Sequence, residues 1–257
     1  MIARRTAAEI ERIDRACRVV REILDELVGL ADEGVTTADL DAHAERRARE
    51  VGGRPAFKGY MGYPASLCVS INDEVVHGIP GRRKLKRGDL VSLDFGVLLD
   101  GYYGDGAVTA GVGQLDAEGE RLSRATRESL LRAIDKMRVG NRLSDIGSAV
   151  ESHARSAGFS VVRDFVGHGI GTRMHEEPQV PNFGPAGNGP RIEEGMVFAI
   201  EPMVVAGNPA VMVLDDGWTA VTRDGSRAAH WELVVAATAD GPRVLGEPAA
   251  VVGRGQA

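Results

Sequence analysis

The strongest constraint on the fold of this chain is an internal repeat that aligns without gaps. Residues 34–52 superimpose on residues 140–158 with six identities in nineteen positions, at a shift of 106. Residues 85–94 superimpose on residues 192–201 at a shift of 107. Chance could produce the first match alone, because alanine, arginine, glutamate and glycine are abundant in both segments. Two matches in the same order at nearly the same shift indicate a duplicated α/β half-unit.

The hydrophobic pattern predicts helices followed by strands in each half. Thr6 and Glu9 form a capping box ahead of apolar residues that recur every three or four positions from Ile10 to Leu30. Further helices are predicted at residues 37–51, 117–138 and 144–157. Strands are predicted at residues 67–71, 90–98, 102–109, 197–200, 204–205, 210–214 and 233–237.

Both halves end an apolar strand with an acid in the same relative place, Asp94 in the first half and Glu201 in the second. A pseudo-twofold arrangement of the halves would bring these two carboxylates together. Two ionised carboxylates at close range repel each other and raise one pKa unless a cation lies between them. The repeat therefore predicts a metal or proton site where the halves meet.

Three further residues point to the same junction. Asp105 follows an Asp-Gly hairpin signal at residues 100–101, so the chain can return it beside Asp94. His168 is surrounded by glycines, and Glu232 opens an apolar strand. A buried acid without a partner costs on the order of several kcal/mol, so a role as metal ligand explains these acids better than a place in the core.

The order and local sequence of these positions resemble type I methionine aminopeptidases. The residues that correspond to the metal ligands of that family are Asp94, Asp105, His168, Glu201 and Glu232. The segments that agree are Val-His-Gly-Ile-Pro at 76–80, Leu-Asp-Phe-Gly at 93–96, Gly-His-Gly-Ile-Gly at 167–171, His-Glu-Glu-Pro at 175–178 and Ile-Glu-Pro-Met at 200–203. The resemblance extends from about Ile10 to Ala237 and so covers nearly the whole chain.

The resemblance implies an α+β fold class and the pita-bread fold, in which two α/β halves are related by a pseudo-twofold around a central antiparallel sheet. The halves would span about 34–112 and 140–237 within a single catalytic domain over residues 1–257. The implied activity is removal of the N-terminal initiator methionine from nascent proteins and peptides when the second residue is small. Two alternatives stay open: a catalytically silent pita-bread module that binds peptides, and a proline-directed peptidase on the same scaffold.

The resemblance also implies how the ligands share two divalent cations. Asp105 and Glu232 would bridge the pair, and Asp94 would hold one cation. His168 and Glu201 would hold the other. Carboxylates with one imidazole suit Mn²⁺, Fe²⁺, Co²⁺ or Zn²⁺ and discriminate little among them. Such a pair can generate hydroxide at neutral pH, which would attack the first peptide bond.

The remaining catalytic and substrate-binding roles also follow from the resemblance. Glu201 would accept the proton of the attacking water, and His77 and His175 would contact the scissile amide, with His175 stabilising the oxyanion. The residues expected to bind the methionine side chain and the scissile amide are Tyr60, Tyr63, Cys68, His77, Met174, His175 and Trp218.

Four positions depart from the family pattern. Phe57 stands where many relatives carry Cys, and Met174 stands where Phe is common, so the pocket is expected to be reshaped at both places. His230 replaces a usual Gln, and Leu233 replaces a usual His. His230 is expected either to support the metal ligand Glu232 or to face solvent.

Charge and hydropathy exclude several other functions. The chain has 31 Lys and Arg against 37 Asp and Glu, a net charge of −6, which disfavours binding to DNA through phosphate contacts. No apolar run approaches the roughly 20 residues of a membrane span, and the N-terminal segment lacks the apolar stretch of a secretory signal. Without a coiled-coil heptad or a cysteine framework, the chain is predicted to be a cytoplasmic monomer.

One basic run remains, with five bases among residues 82–87. The simplest expectation is a solvated loop. The alternative is a transient contact with ribosomal RNA, because the substrates of the resembled family are nascent chains.

Overall fold

The structure, a computed structural model, describes residues 2–246. Met1 and residues 247–257, which belong to the predicted domain 1–257, lie outside the described residues. The helices are α1 (Ala7–Leu30), α2 (Thr37–Glu50), α3 (Ala117–Ile134) and α4 (Leu143–Ser156), and a 3₁₀ turn spans Tyr60–Gly62. Among residues 2–246, no helix combines the length and the apolar content that crossing a membrane requires.

Fifteen strands accompany these helices within the described part of the chain. They are β1 (Arg54–Pro55), β2 (Leu67–Ile71), β3 (Glu74–Val76), β4 (Leu90–Leu99), β5 (Tyr102–Gly111), β6 (Ser160–Val161), β7 (Gly167–Gly169), β8 (Glu176–Val180), β9 (Val197–Ile200), β10 (Met203–Val205), β11 (Val211–Val213), β12 (Ala220–Thr222), β13 (Ala228–His230), β14 (Leu233–Thr238) and β15 (Gly241–Val244).

The repeat is visible in how α2 and α4 attach to the sheets. Both helices have 14 residues and begin at equivalent repeat positions. Ahead of each lies a glycine in the left-handed region, Gly34 with φ 87° and Gly140 with φ 95°. Gly34 donates its N–H to the carbonyl oxygen of Leu85, and Gly140 donates to that of Ile192, both at 2.9 Å. Each helix is therefore tied to the segment that leads into the central strand of its half.

Each half is built around one central antiparallel strand. β4 pairs with β2 and β5, and β9 pairs with β7 and β14. The halves meet at an isolated bridge between Ala107 and Glu232, where the Glu232 N–H donates to the Ala107 carbonyl oxygen at 2.9 Å. β1 adds to the first half-sheet beside β4, and β8 and β15 extend the second beside β7 and β14. The remaining six strands form two three-stranded sheets, β6–β10–β13 and β3–β12–β11. Helices with two antiparallel half-sheets in this arrangement confirm the predicted α+β pita-bread fold.

The apolar core lies mainly on the helix side of each half-sheet. Leu27 of α1, Leu40 of α2 and Phe95 of β4 belong to one buried cluster. The second half has its own buried cluster, whose members include Leu122, Ile146 and Phe198. Successive side chains of a strand alternate between its two faces, so Phe95 packs under the helices while Asp94 points to the opposite face. The same alternation places the acids between the halves.

The structure also differs from the sequence-based elements at several places. α3 ends at Ile134 instead of residue 138, because the chain turns there and buries Met137. β4 ends at Leu99 and β5 at Gly111, one and two residues beyond their predicted ends, because the two strands pair along their whole length. The pattern missed short strands such as β7, since glycines disfavour strands unless tertiary pairing overrides that preference.

The packing of α1 on β5 requires a glycine at residue 104. A Cβ at Gly104 would lie 2.7 Å from the carbonyl oxygen of Ala16 and would also crowd the backbone of Cys17, so helix and strand would have to separate. We expect Gly104→Ala to lower the free energy of unfolding by about 2–4 kcal/mol. Urea denaturation would measure this effect. Gly29→Ala is the matched control, because a Cβ there meets nothing within 4 Å and favours the helix.

Candidate metal centre and catalytic cleft

Two acids of the first half lie on one face of the β4–β5 hairpin. In the antiparallel register Asp94 faces Ala107, and Asp105 faces Gly96. Residues two apart share a face, so Asp94 and Asp105 are diagonal neighbours across the two strands. Both are buried, at 9% and 6% exposure. The hairpin therefore returns Asp105 beside Asp94, as the sequence predicts.

The second half supplies three more polar side chains to the same place. His168 lies in β7, Glu201 directly follows β9, and Glu232 directly precedes β14. His168 Nε2 is 3.5 Å from Glu201 Oε1 and 3.6 Å from Asp105 Oδ2. Ligand atoms of Asp105, His168 and Glu232 all lie within 4.8 Å of one another. The structure thus brings residues of both halves into one cluster.

Burial makes this cluster unfavourable for isolated charges. Desolvation raises the pKa of all four carboxyl groups well above their ordinary values, and repulsion from Asp105 adds to the shift at Asp94, Glu201 and Glu232. Burial also lowers the pKa of His168 to about 4, so its imidazole is neutral at neutral pH. A divalent cation would favour the ionised acids and the neutral imidazole together.

The unsatisfied hydrogen-bonding atoms also match a metal site. Asp94 Oδ1 and Glu232 Oε1 are buried and have no hydrogen-bond partner among the described residues. His168 is held differently, because its Nδ1 lies 2.9 Å from the Gly169 carbonyl oxygen and can donate its proton there. That bond fixes the tautomer in which the Nε2 lone pair faces the acids. The donor set therefore fits divalent cations.

A cavity of about 120 Å³ opens beside this cluster. Its walls are formed by Val76, His77, Asp94, Phe165, Val166, His175, Glu201, Met203 and His230. His175 remains exposed, and its ring centroid lies 4.2 Å from that of His168. The Nδ1 atom of His175 lies 2.8 Å from the Tyr60 hydroxyl oxygen, so Tyr60 fixes the direction of the ring. The cavity therefore presents three histidines, His77, His175 and His230, next to the acids.

The residues expected to bind substrate fall into two groups around the cavity. Tyr63 and Cys68 are buried in a small apolar cluster, against which Trp218 packs. The Tyr63 and Trp218 rings meet edge to face at 5.1 Å, and the His77 ring lies 6.3 Å from that of Trp218. Tyr60 contacts His175, which lines the cavity. The structure thus brings both groups to the same cleft.

Two of the four departures from the family pattern lie side by side. Phe57 and Met174 both pack over Gly96, where a Cβ would lie 2.8 Å from Phe57 Cε1 and 3.0 Å from Met174 Cε. Met174 is buried at 2% exposure. The two substitutions therefore change the same wall instead of two separate places.

The other two departures flank Glu232 and point in different directions. His230 is 2% exposed, so the expectation that it faces solvent is wrong. Its Nε2 lies 3.8 Å from Glu201 Oε2 and has no hydrogen-bond partner among residues 2–246. Leu233 instead packs against the apolar cluster of the second half.

Sequence reasoning missed two residues of the site. Asn182 is fully buried and donates its side-chain N–H to the Glu201 carbonyl oxygen at 3.0 Å, which fixes the backbone at that acid. Phe165 packs edge to face on His77 at 5.3 Å. Neither residue belongs to a periodic or acidic pattern, so no local signal in the sequence could have identified them.

Comparison with known proteins agrees with this geometry. A sequence model of metallopeptidase family M24 matches residues 11–239. A methionine aminopeptidase of Clostridium perfringens is 49% identical over 245 residues, which are 95% of this chain and 98% of that protein. The crystal structure of a methionine aminopeptidase from Thermotoga maritima superimposes with a TM-score of 0.94 at 44% identity, over 96% of this chain and 100% of the other.

The fold is also shared with a more distant enzyme. A prolidase from Pyrococcus furiosus superimposes with a TM-score of 0.77 at 22% identity, over 95% of this chain and 65% of the prolidase. At this identity the likeness shows the fold alone.

The cluster predicts that stabilisation by metal depends on pH. Carboxyl groups with a raised folded-state pKa stabilise the fold while protonated, and that contribution is lost as the pH rises through the raised pKa. A cation binds the ionised form and restores the lost stability. We expect saturating Mn²⁺ to raise the Tm of metal-free protein by about 5–10 °C near pH 7.5 and by less near pH 5.5. Scanning calorimetry at both pH values would measure the shifts.

The variant Asp105→Asn separates repulsion among the acids from stabilisation by the bound cation. Removing one of four mutually repelling acids should raise the Tm of the metal-free protein at neutral pH, whereas the shift caused by Mn²⁺ should largely disappear. Asp215→Asn, at an exposed position, should leave both values unchanged. An Asp105→Asn protein that keeps the full Mn²⁺ shift would contradict the assignment of this cluster as a metal centre.

Proposed function

The chain belongs to metallopeptidase family M24, and on that basis we propose that it is a methionine aminopeptidase that removes the N-terminal methionine of proteins and peptides when the second residue is small. The observation that carries this proposal is the convergence of acids from both halves beside His168, next to a cavity with three further histidines. High identity to methionine aminopeptidases over most of the chain supports the same activity.

We propose that the five clustered residues hold two divalent cations. Asp105 lies between the two halves and Glu232 lies on the bridge that joins them, which suits both for a shared, bridging role. Asp94 would serve one cation, and His168 with Glu201 the other. The donor set would suit Mn²⁺, Fe²⁺, Co²⁺ or Zn²⁺, because all of these accept carboxylate and imidazole donors.

The proposed hydrolysis divides its tasks among residues around the cavity. When bound, the two cations supply Lewis acidity and lower the pKa of water towards about 7. Glu201 lines the cavity and is the least buried of the four acids, so it is placed to accept the proton of the attacking water. Asp94 also lines the cavity but is only 9% exposed, and Asp105 and Glu232 are 6% and 3% exposed. These three acids serve to hold charge.

Two of the three cavity histidines, His175 and His77, are placed to contact the scissile amide. If Tyr60 donates its hydroxyl proton to His175 Nδ1, the proton of that imidazole lies on Nε2, from which it can be donated to an oxyanion. His77 has a pKa lowered to about 4, mainly by burial, so it is neutral at neutral pH and can donate a hydrogen bond without bringing a charge. Both roles depend on the direction of the imidazole N–H group and not on a positive charge.

Methionine selectivity is assigned to the apolar wall beside the cavity. Tyr63 and Cys68 form part of it, with Phe57 and Trp218 packed against them, and Met174 lies beside Phe57 over Gly96. Full burial of a methionine side chain contributes roughly 1.5–3 kcal/mol, which is sufficient to discriminate against smaller N-terminal residues. Burial raises the pKa of the Cys68 thiol well above its usual value, so this cysteine serves as a wall residue and not as a nucleophile.

The two alternative functions have weaker support. A silent binding module has no need to gather four buried acids that repel one another. A proline-directed peptidase shares the scaffold, but at 22% identity that likeness carries no argument about substrate. We also propose that residues 1–257 are one catalytic domain, and that the protein acts on the N-termini of nascent chains as a monomer in the cytoplasm.

The proposed activity is tested by two peptides and one variant. Protein loaded with Mn²⁺ or Co²⁺ should release free methionine from Met-Ala-Ser and nothing from an Xaa-Pro peptide, and chromatography of the products would show it. Glu201→Gln should fold normally but lose about 10³-fold or more in kcat, because it removes a ligand and the proton acceptor together. No release from either peptide would favour the silent module, and near-normal activity of the variant would refute the role of Glu201.

The basic run offers a further partner. Arg82 and Lys86 are exposed, whereas Arg83 forms an ion pair with Glu74 at 2.7 Å. We propose that the exposed bases contact ribosomal RNA transiently. The protein is acidic as a whole, so its attraction for RNA phosphates is confined to this cationic segment.

Charge reversal at Arg82 and Lys86 tests this contact. The double variant Arg82→Glu and Lys86→Glu should lower co-sedimentation with ribosomes at low salt by about tenfold, with unchanged turnover of Met-Ala-Ser. Reversal at Lys136, an exposed base of the second half, serves as the control. Unchanged sedimentation of the double variant would leave the run as a solvated loop.

A further inference from the structure

The segment ahead of α1 reaches across the molecule to the loop that carries His175. Arg5 Nη2 donates to Glu176 Oε2, in an ion pair between side chains that are only 11% and 6% exposed. The Arg5 N–H also donates to the Gly195 carbonyl oxygen at 2.7 Å. A residue near the beginning of the chain is therefore bound, by its backbone and by its side chain, to the second half.

The partner carboxylate of Arg5 organises the turn before His175. The second oxygen of Glu176 accepts hydrogen bonds from the backbone N–H groups of Thr172 at 2.9 Å and Arg173 at 3.0 Å. The carboxylate thus closes the chain on itself around residue 175. One oxygen of Glu176 holds the turn, and the other is held by Arg5.

The surroundings of Arg5 leave its side chain little freedom. The guanidinium lies against Gly171, where any Cβ would collide with it, and Nη1 lies 3.6 Å from Glu9. The backbone continues directly into the capping box of Thr6 and Glu9, which fixes the start of α1. A planar guanidinium in such a slot restricts its carboxylate partner in direction as well as in distance.

We propose that Arg5 is a positioning residue for His175, acting through Glu176 and the turn that Glu176 closes. The inference rests on the proposed function, because the role of His175 in stabilising the oxyanion is proposed there. His175 is held by Tyr60 on one side and by this turn on the other. A small misplacement of a group that contacts the reacting atoms lowers kcat far more than it weakens substrate binding.

The chain offers a matched control in the adjacent residue. Arg4 also forms an ion pair with a glutamate of the second half, Glu193 at 2.9 Å, but these side chains are 59% and 53% exposed. Arg5→Met should lower kcat on Met-Ala-Ser by about 10- to 100-fold with KM changed less than about threefold, whereas Arg4→Met should stay within about twofold. Equal effects of the two variants would overturn the proposal.

A second comparison tests whether Arg5 acts through His175. In the His175→Ala background, Arg5→Met should cause no further loss beyond about twofold, because the group that it positions is gone. Losses that multiply would show a general structural effect and would overturn the proposal. Arg5→Lys keeps the charge without the planar fork and should lie between wild type and Arg5→Met, which keeps the test available if Arg5→Met folds poorly.

A readout without turnover separates this inference from the proposed function. The ring resonances of His175, assigned by their loss in His175→Ala, should shift or broaden in Arg5→Met and stay in place in Arg4→Met. Unchanged His175 resonances in Arg5→Met would overturn the positioning role. A wild-type protein that releases no methionine, with the predicted changes in these resonances, would instead contradict the proposed function alone.

Discussion

The mutual repulsion of four buried carboxylates is the interaction on which the rest of the structure depends. Asp94, Asp105, Glu201 and Glu232 are each desolvated, and repulsion from the other acids raises the pKa of Asp94, Glu201 and Glu232 further. Such a cluster opposes folding unless the surrounding packing is strong or a cation compensates the charge. The helix-covered cores on either side of the acids provide that packing. Asp94 Oδ1 and Glu232 Oε1, which have no hydrogen-bond partner within residues 2–246, are suited to bind the cation.

The fold brings the acids together by symmetry. Asp94 and Glu201 occupy equivalent places on the two central strands, and the bridge between Ala107 and Glu232 sets the distance between the half-sheets. His168 adds the one imidazole of the cluster, with its tautomer fixed by Gly169. Around this centre the loops add Tyr60 and the histidines of the cavity, which the symmetry itself does not supply.

Much of the fold and the centre could be predicted from the sequence, and the reasons are physical. Long periodic segments such as α1 and acids that close apolar runs leave strong local patterns, and the repeat relates them in space. Contacts between distant loops leave no such pattern. Asn182 beneath Glu201, Phe165 on His77, and the pairing of Phe57 with Met174 depend on tertiary packing, so they emerged only from the structure.

The bridge at the junction joins two different residues, Ala107 and Glu232. In the first half, Ala107 lies opposite Asp94. In the second half, Leu233 pairs with Ile200, so the preceding residue Glu232 lies opposite Glu201. The bridge therefore joins equivalent positions of the two halves. A dimer of identical halves would have to carry either two alanines or two glutamates there. In one continuous chain the two places are free to differ, and here alanine stands in the first half and glutamate in the second.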